Sequence, residues 1–180
     1  MPFAKSNNGV VDHVLQVNPA TIWPPATAAL YRAASEGVAV GWLDDGQAFT
    51  APPAASLGHR QAAAWERIKA ERDRRKVLGV KVGAHWFHSD DSSRIQQLAL
   101  MMMGAGIPPG LQWKTLTTTP PPVFVTMTQA LAAGIFQATA ASDAAIFQAC
   151  EVHRVAMEAS GTPEAYDFSG GWPASIEDGA

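Results

Sequence analysis

Charge is scarce in this chain: 16% of its 180 residues are Asp, Glu, Lys or Arg, against about a quarter in an average soluble protein. So thinly charged a surface points to a partner covering part of it. The net charge of −3 offers no general attraction to nucleic acid or anionic lipid, and neither is expected as a partner. A single cysteine, Cys150, excludes an intrachain disulfide and a four-cysteine zinc site. The opening residues MPFAKSNNGV lack the apolar core of a signal peptide. The longest apolar run, Leu98–Ile107, is about half the length of a membrane span. A soluble protein, made in a reducing cytoplasm, is the expectation.

The first 50 residues hold short β-like pieces between turn formers. In GVVDHVLQV the set Val11, His13, Leu15 and Val17 is the more apolar, which predicts a half-buried strand with that set inward. Pro24 and Pro25 predict a turn region free of regular structure. VAVGWLDDGQAF predicts a hairpin turning at Asp45-Gly46. TAPPAAS then reads as a linker. A helix is predicted from about Leu57 to Lys76, with Arg67/Glu71 and Glu71/Arg75 at the i,i+4 spacing. VLGVKVGAHWFHSD reads as a second hairpin turning at Gly83-Ala84, followed by a helix from about Ser92 to Met103 that Gly104 stops. GLQWKTL is a further short strand.

The longest predicted element runs from Met127 to about Ala159, opened by a capping box of Thr126 and Gln129. Leu131, Ile135, Ala138, Ser142, Ile146, Ala149 and His153 recur at steps of three and four, and Phe136 and Phe147 form a second apolar row. At 1.5 Å per residue such a helix spans about 45 Å, so part of it projects or bundles. The fold class is therefore α+β. A small β-rich region and linker (1–56) precede helices and hairpins ending in a long Ala-rich helix (57–160), and an extended tail (161–180) follows.

GAHWFHSDDSSR (83–94) gathers the side chains that hydrolases use. A triad, however, draws its members from separate parts of a fold so that their tips converge, whereas consecutive residues are directed apart. His85 and His88, three apart on a strand, point to opposite faces and cannot share one ion. Ser89, Asp90 and Asp91 are placed to cap the following helix. No catalytic residue, metal or cofactor is expected. RDRRK (72–76) is offset by Glu66, Glu71 and Asp73 and has no interleaved aromatics, which favours a self-paired helix face over a nucleic-acid patch. Met101, Met102 and Met103 sweep more than half the circumference of a helix. Either their own domain wraps that helix, or a methionine face meets a partner. In the tail, Tyr166, Phe168 and Trp172 are three large anchors that dock on their own domain or on a neighbour. The expected surface for a partner or a second copy comprises Met101–Met103, Ile135, Phe136, Ile146, Phe147, Tyr166, Phe168 and Trp172.

The IK-ERDRR helix, the V-x-V-G-x-x-W-F-H-S-D-x-x-S-R unit, W-K-T, and the V-T-M-T start of a long Ala-rich helix carry a likeness over Trp65 to Ala159. This stretch resembles a phage domain of unknown function encoded beside tail-fibre genes of tailed bacteriophages. The region before it, with GWLDDGQAFTAPP, is similar to the small N-terminal region of tail-fibre assembly and tail accessory proteins. The resemblance implies a tail-fibre or tail-tip associated structural subunit of the virion, without enzymatic activity. Its partners would be other tail or tail-fibre proteins and further copies of itself, in a trimer or hexamer-related assembly. An assembly chaperone that binds the fibre and is not retained is the alternative.

Overall fold

The computed structural model describes residues 1–179. The α+β class holds: a strand-rich N-terminal region precedes hairpins and a long C-terminal helix. The chain divides into two compact units, Met1–Ala55 and Ser56–Ala180.

The first unit is an antiparallel sheet in the order β3-β1-β2-β4-β5. β1 (Phe3–Asn7) turns into β2 (Val10–Leu15) through Asn8 and Gly9, both at positive φ. Asn-Gly suits this tight turn because both residues tolerate the left-handed region. After β2 comes α1 (Pro25–Ala28), a single helical turn, then the short strands β3 (Arg32–Ala33), β4 (Leu43–Asp44) and β5 (Phe49–Thr50). Two sequence expectations are corrected here. Pro25 does not interrupt regular structure but starts α1, where its missing N–H has no intrahelical acceptor to lose. Nor does the set Val11, His13, Leu15, Val17 face inward as a group. The register slips by one residue, Lys5 pairing with His13 but Ser6 with Val11. This bulge brings Val11 and Val14 to the same face. Val11 is buried with Ala4, Ala34 and Val38, and Val14 packs on them, while Val17 is exposed.

The second unit is organised around one long helix. α2 (Leu57–Lys76) is capped by Ser56, whose hydroxyl accepts from His59 N–H at 3.2 Å. A hairpin follows, β6 (Val80–Val82) and β7 (His85–Phe87), with Val82 opposite His85 and Gly83 at φ 59°. α3 (Asp91–Met103) ends at Gly104, also at positive φ. β8 (Gln112–Lys114) pairs antiparallel with β9 (Phe124–Thr126), and α4 (Gln129–Glu158) completes the unit.

α4 serves two cores. Its N-terminal half buries Ala132 and Ile135 against Val80, Phe87, Leu100, Ile107 and Met127, contributed by the hairpin, α3 and the β8–β9 region. The hairpin packs directly on this turn of α4: a β-carbon at Gly134 would meet Val82 Cγ1 at 3.4 Å, an ordinary contact. Its C-terminal half buries Cys150 and Met157 against Ala64 and Ile68 of α2, with Tyr166, Phe168 and Trp172 of the tail packed on top. The tail, set apart by the sequence reading, is thus part of the second unit. Of the row that recurs at three and four, Ile135, Ile146, Ala149 and His153 are buried, whereas Phe136 and Phe147 stay exposed. By length and composition α4 is long and apolar enough to cross a membrane. A search for unbroken apolar runs misses this, because the apolarity is alanine spread along the helix. In this fold α4 lies against α2, α3 and β6.

The predicted capping box of α4 does not form. Thr126 is held extended in β9 opposite Gln112, and Met127 N–H donates to Leu111 C=O. The cap is Thr128, whose hydroxyl accepts from Leu131 N–H at 3.1 Å. Gln129 is therefore the first helical residue, with its side-chain amide near Gly104.

Candidate functional site

The hydrolase-like stretch 83–94 is a structural junction. Ser89 is not a helix cap: it is 1% exposed, donates its hydroxyl to Lys76 C=O at 2.7 Å and accepts from Gly79 N–H at 2.9 Å. Its proton is thus held by a carbonyl and not by a base. Asp90 is the cap of α3, accepting from Ser93 N–H at 3.0 Å and from the hydroxyls of Ser92 and Ser93. Those bonds, that of Ser92 first, hold its carboxyl well below the usual carboxylate range. Asp91 lies in the first turn, where its charge favours the helix N-terminus. His88 Nδ1 is 4.0 Å from Asp90 Oδ2, beyond hydrogen-bond reach. Among the described residues no three His, Cys, Asp or Glu side chains are grouped so as to hold a metal ion.

One further residue joins these pieces. Arg94 donates to Ser89 C=O and Lys76 C=O, and its guanidinium grips the Asp143 carboxylate with both arms. The pair raises the Arg94 pKa above its ordinary value. One planar fork thereby ties the end of α2, the hairpin exit, the start of α3 and the middle of α4. No local signal marks it, since Arg94 and Asp143 lie 49 residues apart.

RDRRK is self-paired. Glu71 accepts from Arg74 and Arg75, Arg72 pairs with Asp73, and Arg74 reaches Glu177 of the tail. The Arg67/Glu71 pair expected from spacing gives way to a tertiary contact: Arg67 donates to Glu164 C=O at 2.9 Å and lies over the Phe168 ring. The tail is strapped across α2 and α4. His153, 8% exposed, bonds the Tyr166 hydroxyl through Nδ1 and Gly170 C=O through Nε2, each at 2.9 Å, with Trp172 stacked 5.0 Å away. The carbonyl can only accept, so Nε2 carries a proton. Burial pushes the Cys150 thiol pKa up, which leaves it a packing residue.

These placements split the expected partner surface. Ile135 and Ile146, 0% and 3% exposed, are corrected to internal packing, because the hairpin, α2 and α3 already cover that row of α4. Tyr166, Phe168 and Trp172 dock on their own unit. Met101 is half-buried, whereas Met102 (78% exposed) and Met103 face solvent. Phe136 and Phe147 also remain open. Ile95, 70% exposed, and Leu98 join them, two α3 residues outside the methionine run. Ile95, Leu98 and Met102 share one face of α3 at steps of three and four. Between that face and Phe136 and Ala140 of α4 lies an open cleft of about 340 Å³, lined also by Gln97, Thr139 and the Arg94–Asp143 pair. A broader hollow beside Lys81, Trp86 and Ser142 is bordered by Asp178, whose carboxylate is already bonded to Ser175 and paired with Arg75.

Residues 59–170 match the family described as Domain of unknown function (DUF4376). The chain belongs to that family. Comparison with curated proteins and with solved structures gives no match. The family region runs from the first turn of α2 through α4 into the tail, so it takes in Arg94, Asp143, the α3–α4 cleft and the His153–Tyr166 contact. The β-rich first unit and Trp172 lie outside it.

Proposed function

We propose that the chain is a structural subunit of a bacteriophage tail, associated with the tail fibre or tail tip, and that it acts through protein–protein contacts without enzymatic chemistry. The observation that carries the role in protein–protein contact is the open apolar face of α3 and α4. Ile95, Leu98, Met102 and Phe136 line one cleft and its border, and an apolar patch of this kind marks an interaction site. Support also comes from the likeness of the family region to the phage domain encoded beside tail-fibre genes. The stretch richest in catalytic residue types is engaged in capping and backbone bonding, which supports a binding role. The virion tail is then its destination, with other tail proteins and copies of itself as partners. A tail-fibre assembly chaperone is the second reading, favoured by a separate β-rich unit joined through the Pro-rich stretch 50–56.

Deletion of the gene from its phage or prophage tests the proposal. Particles with filled heads and defective or fibreless tails are the expected phenotype in electron micrographs. Normal tails with unimpaired adsorption would overturn it.

A further inference from the structure

We propose that the α3–α4 face is the surface by which two copies of this chain associate, the exposed side chains of α3 in one copy entering the α3–α4 cleft of the other. This deepens the proposed function by naming the occupant of its interaction surface. Three observations single out a second copy.

The first is charge. Between Asp91 and Glu151 the two helices carry only Arg94 and Asp143, which neutralise each other in one fork. Across Ile95, Leu98, Phe136 and Ala140 two such faces meet without opposing like charges, while Asp91 one turn before Ile95, and Arg72 and Lys76 over the Phe147 ring, lie at the margins. The second is shape. α3 presents protruding side chains, Ile95, Leu98 and Met102, while the neighbouring α4 face offers small ones, Ala140 and Ala144, beside the cleft. A volume of about 340 Å³ accommodates about two side chains of that size. A surface bearing both knobs and their hole is self-complementary, as a two-fold contact requires: residue i meets j, and j meets i. The third is area. Ile95, Leu98, Met102 and Phe136 are 70%, 41%, 78% and 39% exposed, and with the exposed Ala140 and Ala144 beside them they form the apolar centre that an interface of ~800 Å² per partner needs. Gly134 and Ala132 are already used inside the chain; Ala140 and Ala144 are not.

The test is sedimentation of the full chain at micromolar concentration, with Met102→Glu and Ile95→Glu as variants. Both positions are more than two-thirds exposed, so the monomer fold tolerates them. A dimer or a multiple of dimers is expected for the native chain, with dissociation at least tenfold easier in each variant. A native chain that stays monomeric at tens of micromolar would overturn the inference, as would an oligomer indifferent to both substitutions. Mixing Met102→Cys chains with Ala140→Cys chains under mild oxidation gives an independent readout, because Cys150 is buried. A mixed disulfide dimer is expected; its absence, with both chains folded, argues against the geometry. Failure here is separable from failure of the proposed function. A monomer still found in tails removes the homotypic contact alone, whereas a dimer absent from every stage of tail assembly removes the phage role alone.

Discussion

Replacing Arg94 by Met removes the fork at the junction of α2, α3 and α4 while keeping most of the side-chain volume. Arg94 and Asp143 are 24% and 26% exposed, so the pair is largely but not fully desolvated. Loss of one partner from a buried ion pair costs about 3–5 kcal/mol because it strands the other charge. Partial exposure places Arg94→Met at the lower end, and the carbonyls of Lys76 and Ser89 lose a donor in addition. A loss of about 3 kcal/mol is expected, a fall of ~1.5 M in urea midpoint at a slope near 2 kcal/mol/M. Arg94→Lys keeps the charge but cannot serve both carboxylate oxygens and two carbonyls, so it recovers less than half. Urea unfolding followed by helical circular dichroism is the assay, since the three long helices all lie in the second unit. A cost below about 1 kcal/mol for Arg94→Met, with an unchanged slope, would refute a structural role for this motif and reopen the question of what its polar residues do.

Gly79→Ala is expected to destabilise the second unit by more than about 2 kcal/mol, since φ is 91° there and the new methyl would lie 2.5 Å from Leu116 Cδ2 and 2.9 Å from Phe87 C=O; chemical denaturation measures it. His153→Leu removes both tail bonds, so limited proteolysis between 163 and 178 should accelerate several-fold, and unchanged cleavage would contradict the strap. The carboxyls of Glu71 (chiefly through Arg74), Asp90 (Ser92) and Asp178 (Ser175) titrate below their ordinary values. Lowered folded-state values stabilise the fold above about pH 4 and cease to do so as pH falls through them. Thermal midpoints should therefore decline below that pH, and a rise on acidification would contradict the assignment.

The helices were legible in the sequence because their signals are local. α2 follows a serine cap, α3 lies between Asp90 and Gly104, and α4 repeats at three and four. The Gly83-Ala84 hairpin was legible for the same reason. β1 has only the Asn8-Gly9 turn as its local signal, and the cap of α4 is Thr128, two residues beyond the Thr126 that the spacing to Gln129 favours. Only the β8–β9 pairing decides between them. The proposed interaction surface was half legible. Two apolar rows on α4 show more apolar surface than one row of packing uses, but the sequence does not say which row the chain covers itself. Internal packing covers Ile135 and Ile146 and leaves Phe136 and Phe147 outside. Arg94–Asp143 and His153–Tyr166 depend on contacts between elements and carry no periodicity at all.

Mass spectrometry of purified, intact phage particles from a strain carrying this gene tests the central claim most directly. Peptides of this chain at a fixed stoichiometry, a multiple of six per particle, are the predicted result for a tail subunit. Their absence from particles, with the chain found on immature fibres in the infected cell, would contradict it and make the protein an assembly chaperone.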